Sequence, residues 1–132
     1  MPSIFSKIIS REIPAHIVAE NDNYLAFLDI NPLMEGHCLA IPKVDIDYIF
    51  DLEDDTLAGL HVFAKKVALG IQKAIPCERI AVSVLGLEVP HAHVHLIPMN
   101  TMDDANFARP KLKPTPEELA EIAAKIKSAI QL

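Results

Sequence analysis

Three short apolar, β-prone runs crowd into the first third of this chain, at residues 16–20, 24–30 and 36–41. The gaps between them are too short for a helix. Parallel neighbours need a crossover of about a dozen residues or more, so these runs are expected to pair antiparallel. Asn21-Asp22-Asn23 is a strong hairpin signal between the first two. Downstream, Leu57, Leu60, Ala64, Val67, Ala68, Ile71 and Ile75 recur at three- and four-residue intervals, with Lys65, Lys66 and Gln72 off that stripe. This spacing predicts an amphipathic helix over residues 53–74. Residues 78–85 and 91–99 read as two further strands around a turn at Gly86. Thr115-Pro116-Glu117-Glu118 opens a second helix with a capping box and a proline at its first position, and Leu119, Ile122, Ala123, Ile126 and Ile130 form its apolar face. A short helix over residues 3–9 ends before Pro14. The fold class predicted is α+β: an antiparallel sheet of about five strands with a long central helix and a C-terminal helix, the helices packed on one side. The pattern leaves the topology open.

Composition narrows the function. A chain of 132 residues, 51% hydrophobic and 23% charged, has the apolar content of a folded domain, and residues 1–132 are expected to form a single one. The apolar runs are too short for a bilayer span, and the N-terminal residues lack the features of a signal peptide, so a cytoplasmic protein without membrane partners is expected. A formal charge of −6 disfavours nucleic acid, yet leaves room for a small anionic ligand held by backbone amides and imidazoles. Cys38 and Cys77 read as reduced, partly buried thiols.

Half of the six histidines lie in His91-Ala92-His93-Val94-His95-Leu96-Ile97. On a strand the three imidazoles project from one face, about 6.5–7 Å between successive positions, and Ala92, Val94 and Leu96 point into the core. Lone His16 and His61 are read as packing residues; three in alternation are not, because six ring nitrogens would need partners. Two chemistries suit such a strand. Two imidazoles can hold zinc with further ligands from elsewhere. Alternatively, a neutral imidazole attacks phosphorus in phosphoryl or nucleotidyl transfer while its neighbours orient it and supply protons. The absence of a C-x-x-C or H-E-x-x-H motif favours the nucleophile.

The run from His91 to Ile97 resembles the His-φ-His-φ-His-φ-φ signature of the histidine-triad (HIT) superfamily, φ being apolar. Ile4-Phe5-Ser6-Lys7-Ile8-Ile9, Glu12-Ile13-Pro14-Ala15, Leu25-Ala26-Phe27-Leu28-Asp29-Ile30-Asn31-Pro32 and Gly36-His37-Cys38-Leu39-Ala40-Ile41-Pro42-Lys43 are similar to blocks of its Hint-like branch. These blocks span residues 4–98, about three quarters of the chain, and leave residues 99–132 as a variable C-terminal segment. The resemblance implies a hydrolase or transferase acting at the α-phosphate of nucleoside phosphoramidates or (di)nucleoside polyphosphates, without a cofactor or catalytic metal. It implies His93 as nucleophile, His95 as phosphate contact and proton source, His91 as orienting residue and His37 as a fourth histidine of the site. Asp29 would grip the ribose hydroxyls, Ile30, Phe5, Ile8 and Ile13 would sandwich the base, and Val89 would join them in binding the nucleotide. A homodimer is implied as well.

The chain also departs from the family pattern. Leu87 stands where relatives carry a hydrogen-bonding glutamine, and Glu88 follows it. A nucleotide-binding or scaffolding module with weak or no catalysis is therefore the alternative function. Many bacterial relatives bind a structural zinc through two N-terminal cysteines and a histidine; Ser3, Ser6 and Asp45 stand at those places here, so zinc is not expected. Residues 101–107 are placed at the cleft rim.

Overall fold

The structure is a computed structural model that describes residues 3–132; Met1 and Pro2, part of the stretch read for a targeting signal, lie outside the described residues. Five strands, β1 (Ile17–Glu20), β2 (Tyr24–Leu28), β3 (Cys38–Pro42), β4 (Arg79–Ser83) and β5 (Val94–Met99), form one sheet in the order β1-β2-β3-β5-β4. Every neighbouring pair is antiparallel. The first three strands form a meander, as their short gaps require. Asn21 builds the first turn: its Oδ1 accepts from the amides of Asn23 (3.0 Å) and Tyr24 (2.8 Å). Helix α2 (Asp54–Ala74) then carries the chain to the far edge, and β5 inserts between β3 and β4.

Apolar side chains line both faces of the central strands. Tyr24, Ala26, Leu28, Cys38, Ala40, Val94 and Leu96 pack with Leu60, Phe63, Val67 and Ile71 of α2 and with Leu119, Ala123 and Ile126 of α3 (Pro116–Ala129). Leu25, Phe27, Leu39 and Ile41 point the other way and are covered by Phe5 and Ile8 of α1 (Ile4–Ile9). The expectation that all helices share one side is thus corrected. Because β2 and β3 are buried at every position, a second layer is needed, and α1 supplies it. The C-terminal segment does more than line a rim, since α3 belongs to the larger core. Its capping box forms as read: Thr115 Oγ1 accepts from Glu118 N–H (3.1 Å), and Glu118 Oε1 accepts from Thr115 N–H (2.9 Å).

All five strands differ from the expected limits by one to three residues, and two of the differences bear on the site. β2 stops at Leu28, leaving Ile30 61% exposed. β5 begins at Val94 and not at residue 91, because Ala92 N–H donates to the Ile46 carbonyl (2.8 Å) and His91 N–H to that of Val89 (2.8 Å), outside the sheet ladder. The alternation survives this departure: Ala92 joins the α2 core, whereas His91 and His93 turn toward Phe5. Cys38 and Cys77 are free thiols. Among the described residues no helix is long and apolar enough to cross a membrane.

Gly59 shows how closely α2 approaches the sheet. The Tyr24 ring stacks on Phe63, 5.5 Å between centroids, and its hydroxyl donates to the Thr56 carbonyl (3.0 Å). A Cβ at position 59 would collide with that hydroxyl. Gly59→Ala is therefore expected to destabilise the protein by about 1–2 kcal/mol in urea titration, although alanine is the better helix former by about 1 kcal/mol. An unchanged or raised midpoint would contradict this packing.

Candidate active site

His37, His91, His93 and His95 are all buried. His37 enters β3 from a turn in which Gly36 takes φ +93°, a left-handed conformation that favours glycine. A Cβ there would also press on Ile75 (2.9 Å) and Pro98 (3.3 Å). His95 lies in β5 opposite Leu39 of β3, on the side away from Val94 and Leu96. The His93 and His95 rings are 5.0 Å apart between centroids, and those of His37 and His95 are 5.2 Å apart.

Fixed partners determine where each ring carries its proton. A carbonyl oxygen only accepts, so His93 Nδ1–H donates to the carbonyl of His91 (2.6 Å), and the lone pair is on Nε2. Leu33 N–H donates to His37 Nδ1 (3.1 Å), which places the His37 proton on Nε2. That proton is donated to His95 Nδ1 (2.9 Å), so His95 carries its own on Nε2. The two adjacent rings thus present opposite functions: His93 Nε2 is a bare base and His95 Nε2–H is a donor. No buried side-chain nitrogen or oxygen among the described residues lacks a partner, and neither of these Nε2 atoms has one in the protein, so both reach solvent.

Burial holds the cluster neutral. It lowers His37 to about 3, with His95 and then Lys111 reinforcing the shift. It lowers His95 to about 4, reinforced by His93 and Lys111. It also lowers His93, against the opposing hydrogen bond to the His91 carbonyl and the charges of Asp29 and Glu88. Asp29 is raised by burial against a hydrogen bond from Asn31 N–H, and its Oδ2 lies 3.7 Å from His37 Nε2. Glu88 and Lys111 therefore bring opposite charges to the site: Glu88 acts on Asp29 and His93, Lys111 on Asp29, His37 and His95.

The remaining expected residues divide by exposure. Phe5 sets its ring edge-on to His93 (5.1 Å) and His91 (6.1 Å), with Ile8 buried beside it. Ile13 and Val89 are partly buried against the same cluster, and Ile30 stays exposed. Leu87 is 95% exposed. His61 is no packing residue: it is exposed on α2 and donates from Nδ1 to the Leu57 carbonyl (3.1 Å). The structure also adds to the expected set. Phe107 lies edge-on to His95 (4.8 Å) and His37 (6.3 Å), and Lys111 Nζ donates to the Phe107 carbonyl (2.8 Å). Phe107 fell within the segment read as cleft rim, but no local pattern marks Lys111.

Two groups bear on metal binding. Asp29, His37 and His95 offer ligand atoms within 4.8 Å of one another, but a cation there would have to break the His37–His95 hydrogen bond. Ser3, Ser6 and Asp45 do meet at His91, yet two hydroxyls and a half-exposed carboxylate are not a zinc donor set.

A protein-family model described as the HIT domain matches residues 10–102. The chain is 34% identical over 137 aligned residues to hnt1 of Schizosaccharomyces pombe, named adenosine 5'-monophosphoramidase, covering 99% of this chain and 100% of that protein. HNT1 of Saccharomyces cerevisiae carries the same name and is 39% identical over 100 residues, 72% of this chain and 61% of that protein. A crystal structure of a HIT-like protein from Bartonella henselae has a TM-score of 0.85 at 32% identity, covering 97% of this chain and 96% of that one.

The depressed imidazoles have a thermodynamic signature. His37, His93 and His95 bind fewer protons folded than unfolded, where the ordinary value is 6.5. Their contribution is complete above pH 6.5 and is lost as pH falls toward the folded values, about 3 for His37 and about 4 for His95. The urea midpoint is expected to fall between pH 6.5 and 5, above the range where exposed carboxylates titrate, and to fall less steeply in His95→Asn. A flat profile across that window would refute the neutral cluster.

Proposed function

The chain belongs to the HIT family, and from that premise we propose that it is a nucleotide hydrolase or transferase acting at the α-phosphate through a nucleotidyl group carried on His93. The observation that carries this reading is the opposed protonation of two neighbouring rings, a bare Nε2 on His93 beside an Nε2–H on His95. His93 Nε2 attacks the α-phosphorus, and the bond to the leaving nitrogen or oxygen breaks as that atom takes up a proton. His95 Nε2–H donates to a phosphate oxygen, and the leaving atom takes its proton from solvent, since a second proton on His95 Nδ1 would oppose His37 Nε2–H. Water then attacks phosphorus and returns a proton to solvent, the P–N bond to His93 breaks, and the nucleoside monophosphate leaves. Throughout, His93 Nδ1–H stays on the His91 carbonyl, whose dipole stabilises the positive charge that develops on the ring.

The carboxylate of Asp29, held at Oδ1 by Asn31 N–H (2.9 Å), suits two ribose hydroxyls. Exposed Ile30 and partly buried Ile13 and Val89 are available to a base, with Phe5 and Ile8 beneath as a floor. The shared name of the two yeast relatives supports a phosphoramidate P–N bond as the scissile one. Incubation with adenosine 5'-phosphoramidate is expected to give adenosine monophosphate and, on rapid quenching, a nucleotidyl adduct mapping to His93. His93→Ala is expected to lose at least about a thousandfold in kcat; wild-type turnover in that variant would end this reading.

Exposed Leu87 favours a second reading, nucleotide binding with weak catalysis, because an apolar side chain offers the phosphate no hydrogen bond. Tight monophosphate binding without turnover of phosphoramidate or dinucleoside polyphosphate would select it. We propose a homodimer in either case. The outer edge of β4 is unpaired, its Val82 is 59% exposed, and Val62 and Leu69 of α2 are exposed as well. Light scattering is expected to give twice the chain mass for wild type and a lower mass for Val82→Lys; a monomeric wild type would refute the pairing.

A further inference from the structure

His91 is tethered through its amide, its carbonyl and both ring nitrogens. Its amide donates to the Val89 carbonyl (2.8 Å), its carbonyl accepts from His93, its Nε2–H donates to the Pro42 carbonyl (2.9 Å), and its Nδ1 faces Ser3 Oγ at 2.9 Å. Pro42 only accepts, so the His91 proton is on Nε2 and Nδ1 is a bare acceptor. Ser3 has one hydroxyl proton and two candidate acceptors, Ser6 Oγ at 3.2 Å and His91 Nδ1. The bare and nearer Nδ1 takes it. Ser3 is itself fixed, because its Oγ caps α1 by accepting from Ser6 N–H (3.0 Å) and the residue is only 4% exposed. The Ser6 hydroxyl lies between His91 Nδ1 (3.4 Å) and Asp45 Oδ1 (3.2 Å), in the loop after β3, and donates to the nearer carboxylate.

These contacts form one relay from the N-terminal helix to the reacting ring, and we propose that Ser3, backed by Ser6 and Asp45, is a positioning residue for the nucleophile. Ser3 holds His91, the His91 carbonyl holds His93 Nδ1–H, and Nε2 of His93 is thereby kept bare and aimed. The contact is long-range, between residues 88 positions apart, so α1 joins the site through a hydrogen bond as well as through the packing of Phe5 on His91 and His93. The inference rests on the reading of His93 as nucleophile.

The test measures kcat and KM with adenosine 5'-phosphoramidate, and the nitrogen-15 shifts of His91, in wild type, Ser3→Asp, Ser3→Thr and His93→Ala. Ser3→Asp retains a good helix cap but has no hydroxyl proton to donate. It is expected to lower kcat about tenfold with KM within about twofold, and to move the His91 Nδ1 resonance. Ser3→Thr keeps the hydroxyl and is expected to stay within about twofold of wild type. Wild-type kcat and an unmoved His91 resonance in Ser3→Asp, with His93→Ala inactive, would overturn the positioning role alone. Equal losses in Ser3→Asp and Ser3→Thr would also overturn it, by reducing Ser3 to a packing element. A fully active His93→Ala would remove the nucleophile reading and this inference with it.

Discussion

The hydrogen bond from His93 Nδ1–H to the carbonyl of His91 is the contact on which the candidate site depends. A carboxylate partner could exchange protons with the ring; a carbonyl cannot, so the tautomer of His93 holds for as long as the backbone stays in place. The backbone stays because Ala92 is pinned to Ile46 and His91 to Val89, and because β5 starts immediately afterward at Val94, between β3 and β4. Leaving a buried ring nitrogen unpaired costs about 1–3 kcal/mol. Four buried imidazoles with every buried nitrogen partnered therefore select one arrangement of the surrounding loops.

That arrangement also lets a chain of net charge −6 accept an anionic ligand. The groups nearest the reacting position are neutral imidazoles and backbone dipoles, which need no compensating charge while the site is empty. The cation Lys111 acts on the His37–His95 side and the anion Glu88 on the His93 side.

Much of the fold was legible because it is set by local spacing. The short gaps after residues 20 and 30 forced antiparallel pairing, the apolar period of α2 gave its limits, and Thr115 with Glu118 marked the start of α3. The side of the sheet on which α1 packs was not legible. A six-residue helix carries little periodic signal, and its place follows from the burial of both faces of β2 and β3. The late start of β5 was missed for a similar reason: the alternation of His91 to His95 is that of a strand, but the hydrogen-bond partner of Ala92 lies at Ile46, which no local pattern reveals. Phe107 and Lys111 reach the site only because the segment after β5 folds back over His95 and His37.

The sequence by itself determined which imidazoles turn away from the core, since a period of two is a property of consecutive residues and survives even where the ladder ends. The tertiary structure alone decided what each imidazole can do. Proton placement on a ring depends on the partner of its other nitrogen, and those partners are distant: His95 meets His37 across 58 positions, His91 meets Pro42 across 49, and Ser3 reaches His91 across 88.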